Sequence, residues 1–181
     1  MFKEMPPSRL IRQVEGPAGT ITLLTLINWS DRAASLSVGR TEIGMLSDAS
    51  ILVYDYWNQV VSIHQGEILQ TDPIPPHGVA HLALRLDMSR VSYVGSDLHI
   101  CPGTEVKEWK VSDNELCFRI NLGRSASGTV WLRLPAPPSG ATCNGEPASI
   151  ISNGAFSLYQ VRVEVEDEAD VRVHWHTPAE P

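Results

Sequence analysis

Residues 51–87, ILVYDYWNQVVSIHQGEILQTDPIPPHGVAHLALRLD, hold side chains suited to two kinds of chemistry. Carboxylates can move protons, and aromatic rings can stack on the apolar face of a sugar. Hydrolysis of a glycosidic bond needs two carboxyl groups flanking that bond, and Asp31, Asp48, Asp55, Asp72 and Asp97 are the candidates. Asp31 follows Asn-Trp-Ser and reads as a turn residue whose side chain caps backbone N–H groups. Asp55 lies in Val-Tyr-Asp-Tyr-Trp, on the strand face of Val53 and Trp57. A polar group so placed normally finds a hydrogen-bond partner in a neighbouring loop, so a structural role is expected for it. No motif sets two of these carboxylates face to face.

The aromatic candidates are Trp29, Trp57, Trp109, Trp131 and Trp175, with Tyr54, Tyr56 and Tyr93. An exposed ring can meet a sugar, whereas a buried one fills the space between sheets. Trp57, Trp109 and Trp131 are the stacking candidates, and packing in a core or at an interface is the plainer expectation for each. Trp131 alternates with Val130, Leu132 and Leu134, which turns it towards a second interface or a ligand. His77 stands in Pro-Pro-His-Gly, a turn leading into a strand. His174 and His176 share one strand face, but no further metal ligands lie at a recognisable spacing, so no metal is expected. Phosphate-binding glycine loops, nucleophile elbows and His-Glu-x-x-His are lacking, and no cofactor is expected. The acidic run of residues 164–170, EVEDEAD, lacks the spacing of a calcium loop and reads as a solvated hairpin turn.

The elements that must position these groups alternate with a period of two. In ELCFRINL, Leu116, Phe118, Ile120 and Leu122 share a face. In LYQVRVEVED, Tyr159, Val161, Val163 and Val165 do so, as do Val171, Val173 and Trp175 in DVRVHWH. HLALRLDM places Leu82, Leu84, Leu86 and Met88 together. Such alternation describes antiparallel strands buried on one side. Residues 21–27 are apolar on both faces and predict a strand covered on both sides. Turn signals recur between the strands, among them Asn144-Gly145, a strong hairpin signal. No window has the period of an ordinary helix. The fold class is therefore all-β, an antiparallel sandwich, with two abutting halves (1–90 and 91–181, about seven strands each) or one continuous domain.

Composition narrows the function classes. The chain has 181 residues, a net charge of −7 and no Lys/Arg block, which argues against nucleic acid as a partner. No apolar run is long enough to span a bilayer. Cys101, Cys117 and Cys143 are odd in number and lack a Cys-x-x-Cys pair, which suits a reducing, cytoplasmic setting. One disulfide with one free thiol is the alternative.

Three motifs occur in a telling order: LTLINWSD at residues 24–31, VYDYWNQ at 53–59 and IPPHGVAHLALR at 74–85, with YVGSDLHI at 93–100 as a continuation. They resemble the C-terminal β-sandwich of melibiase-type α-galactosidases and related glycoside hydrolases over roughly the first hundred residues. In that family the two catalytic aspartates belong to a preceding (β/α)₈ barrel, a unit of about 250 residues that has no counterpart here. The resemblance thus implies a non-catalytic portion of a longer glycosidase, with the barrel of the same parent protein as partner. It carries over no catalytic residue. Tyr54, Asp55, Tyr56, Trp57 and His77 would shape the sandwich and its contact with the barrel. A carbohydrate-binding module using Trp57, Trp109 or Trp131, and a plain interaction domain, are the alternatives.

Overall fold

The computed structural model describes residues 6–88, 90–153 and 157–176. The described chain is all-β, in antiparallel sheets, and none of these closes into a barrel. Its one helical element among the described residues is a 3₁₀ turn, Thr41–Ile43. The chain divides into two compact units. The first comprises Met1–Gln13 and Ile21–Met88, the second Val14–Thr20 and Ser89–Pro181.

The first unit contains β1 (Arg9–Val14, whose last residue falls in the second unit), β2 (Ile21–Ile27), β3 (Ser37–Gly39) and β4 (Ile51–Asp55). It continues with β5 (Val60–His64), β6 (Ile68–Gln70) and β7 (Val79–Leu86). Five of these form a sheet in the order β1-β2-β7-β4-β5, while β3 and β6 pair as a separate ribbon. Leu24, Leu26, Ile51, Val53, Leu82 and Leu84 of the sheet pack with Val38 and Leu69 of the ribbon and with Ile43, Met45 and Ile74. Fully burying such side chains stabilises by about 1.5–3 kcal/mol each. The double-sided pattern of β2 is realised, since Ile21 and Leu23 are buried as well as Leu24 and Leu26. Met88 does not continue the leucine face of β7. The strand ends at Leu86, and Met88 lies beyond it, exposed.

The second unit holds β8 (Ser92–Ser96), β9 (Val106–Val111), β10 (Glu115–Asn121), β11 (Ala126–Arg133) and β12 (Pro138–Cys143). It ends with β13 (Glu146–Ala148), β14 (Ile150–Ser152), β15 (Leu158–Val165) and β16 (Glu168–Trp175). They make a five-stranded sheet, β13-β12-β16-β10-β9, and a four-stranded one, β14-β15-β11-β8. The alternating residues occupy the expected buried face: Leu116, Phe118 and Ile120 in β10, Val161, Val163 and Val165 in β15, Val171, Val173 and Trp175 in β16. Asn144 and Gly145 both have positive φ, 53° and 85°, and close the β12–β13 hairpin with Cys143 opposite Glu146. The acidic run is not a hairpin. β15 and β16 belong to different sheets, so residues 166–167 carry the chain from one sheet to the other. β15 pairs with β11 and β14, and β16 with β10 and β12, so the two strands do not pair with each other.

Candidate functional site

The motifs of the first unit meet at the end of β2. Asn28, only 3% exposed, is the centre of the knot. Its Nδ2 donates to the carbonyl oxygens of Arg32 (2.8 Å), Ile74 (2.9 Å) and Pro75 (3.0 Å). Its Oδ1 accepts from the Ser30 N–H at 3.1 Å and the Ser30 hydroxyl at 2.7 Å. The Asn28 N–H donates to Gly78 O at 3.0 Å, and His77 Nε2 lies 3.0 Å from Asp31 Oδ1 on the exposed side. Gly78 is required by close approach, since a Cβ there would stand 2.9 Å from Pro75 O. The VYDYWNQ motif joins through Tyr56, whose N–H donates to His81 O at 3.0 Å, while His81 Nδ1 sits 2.8 Å from the Thr25 hydroxyl. Buried amides of this kind satisfy loop carbonyls that would otherwise be stranded. Nothing in the residue type of Asn28 announces this role; only its position before a turn and a Pro-Pro-His-Gly partner far along the chain does.

Asp55 ends β4 rather than sitting within a longer strand. Its Oδ1 accepts from the N–H groups of Trp57 and Asn58, each at 3.0 Å, and its Oδ2 from Asn58 Nδ2 at 2.9 Å. An aspartate bonded to backbone two and three residues on builds a turn by itself. The turn lifts Trp57 into solvent at 55% exposure, braced edge-on by the half-buried Tyr56 ring at 5.0 Å and 80°. Tyr54, by contrast, is fully buried and offers no surface to a sugar or a neighbouring domain.

Below Trp57 a broad open groove of about 900 Å³ runs along β4, β5, β6 and the start of β7. Val53, Leu69, Ile74 and Leu82 from the unit's core form its apolar floor. Trp57, Val60, Ser62, Gln70, Asp72 and Val79 stand around it, and its lining includes no Lys, Arg or His. This groove brings Asp55, Trp57 and Asp72 together, a convergence that the linear spacing does not display.

In the second unit the tryptophans turn inward. Trp131 is 5% exposed, so it packs inside the unit, and the alternative of a ligand-facing ring does not apply to it. Its strand lies between β15 and β8, and both faces of Val130–Leu132 are buried. Trp109 is half-buried against Phe118 (ring centroids 5.4 Å) and Tyr93 (6.4 Å, edge-on). Nearby is a residue that sequence reasoning passed over. Glu105, 2% exposed, accepts from the Tyr93 hydroxyl, the Ser96 hydroxyl (2.6 Å) and the Gly103 N–H (2.7 Å). Asp97 likewise serves the fold, accepting from the Thr129 N–H at 2.7 Å.

The outer face of β9, β10 and β16 is a ladder of ions. Arg119 lies 3.1 Å from Glu108 and 2.8 Å from Asp170. Its guanidinium holds the Asp170 carboxyl below the ordinary value. Cys117, in the same face, has its thiol pushed up by burial and by the Glu115 carboxylate, which lowers its share of thiolate. All three cysteines are free. His174 is 3.7 Å from Glu115, and among the described residues no group of His, Cys, Asp and Glu could hold a metal ion.

No family model matches the chain. No curated protein matches it either. Among solved structures it is similar to Arthrobacter globiformis T6 isomalto-dextranase complexed with panose, at 10% identity and a TM-score of 0.35. That alignment covers 96% of this chain and 34% of the other, so the chain spans about a third of that protein's length. A likeness at this level carries no argument about what the chain does. No helix among the described residues is long and apolar enough to cross a membrane.

Proposed function

We propose that the chain is a non-catalytic β-sandwich portion of a glycoside hydrolase of the α-galactosidase type, bordering a catalytic barrel that is not part of this sequence. The observation supporting this is the knot at Asn28. The three motifs that resemble the accessory sandwich lie together in space and spend their polar groups on one another: Asn28 on the 74–75 carbonyls, Asp31 on His77, Asp55 on its own turn. Residues used in this way define a scaffold. They are not arranged as an acid and a base across a bond.

The test has two arms. The chain, incubated with p-nitrophenyl α-D-galactopyranoside, is expected to release no nitrophenol above the uncatalysed rate. The reading frame upstream of its coding sequence is expected to encode a (β/α)₈ barrel, fused or adjacent. Turnover that Asp55→Asn abolishes would overturn the reading, and so would an upstream region without any barrel.

A further inference from the structure

We infer that the groove beside Trp57 is a binding site for a neutral oligosaccharide, with one pyranose ring lying on the Trp57 indole and its hydroxyls met by Ser62, Gln70 and Asp72. The inference deepens the proposed function by giving the sandwich a ligand of its own, and it rests on the carbohydrate side of that reading.

Size comes first. A volume of about 900 Å³ falls within the usual range of small-molecule sites, ~300–1,000 Å³, and leaves room for more than one ring. Chemistry then selects the class. The groove floor is apolar and its surroundings are polar, with Trp57, Val60 and Val79 exposed among them. A purely apolar ligand would strip water from Ser62, Gln70 and Asp72 without replacing their hydrogen bonds, which costs more than the contact returns. No described residue donates to or accepts from those three side chains, so their bonding capacity is open to a ligand. An anionic ligand is disfavoured because the lining contains Asp55 and Asp72 and no cation. A pyranose answers both demands, since one face is a patch of C–H groups suited to an aromatic ring and its rim is hydroxyl.

Preorganisation is the remaining argument. Trp57 is an exposed tryptophan whose backbone is fixed by Asp55 and whose ring is fixed by Tyr56. Holding a ring in place before binding lowers the entropic cost of stacking.

The test is calorimetric titration of the full chain with raffinose, isomaltotriose and tri-galacturonic acid, repeated on Trp57→Ala and Gln70→Ala. Both positions lie at the surface of the groove, and far-UV circular dichroism with thermal unfolding checks that each variant folds. Saturable binding of at least one neutral trisaccharide is expected, weakened about tenfold or more by Trp57→Ala and less by Gln70→Ala, with tri-galacturonic acid bound more weakly than either neutral sugar. Tighter binding of raffinose than of isomaltotriose points to a ligand that carries galactose, and the reverse to one built of glucose alone. No saturation with either neutral sugar would overturn the inference, as would binding untouched by Trp57→Ala or a preference for the anionic sugar. A silent titration removes the groove and leaves the scaffold reading to its own two arms. Turnover by the chain removes the scaffold reading and leaves the titration as it stands.

Discussion

Asp55 and Glu105 are both acidic residues at the join of a strand and a loop, each with a tryptophan a few residues on, yet they produce opposite surfaces. Asp55 is only part-buried and bonds forward along its own chain, so all it orders is a four-residue turn, and Trp57 is carried outward. Glu105 is almost wholly buried and bonds back to Tyr93 and Ser96 of β8 as well as to Gly103. It ties a strand to a loop, and Trp109 is drawn against Tyr93 and Phe118. The difference teaches that residue type does not decide between scaffold and site. What decides is whether the acid's partners are local and wet or distant and dry, because the low local dielectric makes the second kind expensive to disturb.

That contrast sets an order of effects. The largest is expected for Glu105→Ala. It removes a carboxylate that accepts from two buried hydroxyls and one N–H, at ~1–3 kcal/mol for each bond lost in a buried site, so a loss of about 3 kcal/mol or more is expected in urea unfolding of the second unit. A loss no greater than that of Asp55→Ala would erase the distinction between the two acids. Asp55→Ala comes next, with about 1 kcal/mol lost, as for removal of a cap or turn bond. It also loosens Trp57, so any affinity for neutral trisaccharide falls while the fold survives, and affinity unchanged by this variant would show that the turn does not position the ring.

The smallest effect belongs to the outer ladder. Arg119 holds the Asp170 carboxyl below its ordinary value of 3.8. The folded chain therefore binds this proton more weakly than the unfolded chain does. The pair's stabilisation is complete above that ordinary value and is lost as the pH falls through the lowered one. Both partners are exposed, so solvent screens most of the gain. Arg119→Ala is expected to flatten slightly the acid limb of the stability curve and to leave stability at neutral pH almost unchanged, as pH-dependent thermal unfolding would show.

Much of the sheet structure was legible because alternation is a local signal. Leu116, Phe118 and Ile120, or Val171, Val173 and Trp175, declare their buried face within one strand, and Asn144-Gly145 declares its turn within two residues. What was not legible depended on residues far apart in sequence. Glu105 reads as an ordinary loop acid until β8 brings Tyr93 and Ser96 to it. For Trp131 the alternation of β11 leaves an interface or a ligand open beside plain packing, and packing is settled only by the burial of both faces of Val130–Leu132. The acidic run was read as a hairpin because its composition is that of any solvated turn. Whether such a turn joins neighbours in one sheet or crosses to the other depends on which strands pair with β15 and β16, and partners such as β10 and β11 lie far back along the chain. In the candidate site, Trp57 and Asp55 stand close together in the sequence, whereas Ser62 and Val79 join them only through the pairing of β5, β4 and β7, and Gln70 comes from the separate β3–β6 ribbon.

The most direct measurement follows both regions at once, by recording the indole N–H signals of Trp57 and Trp109 in a ¹H–¹⁵N spectrum while a neutral trisaccharide is added. The Trp57 signal is predicted to shift and saturate, together with the Asn58 and Gln70 side-chain amides, while Trp109 stays in place. Movement of Trp109 with Trp57 unmoved would contradict the assignment of one region to ligand and the other to the fold.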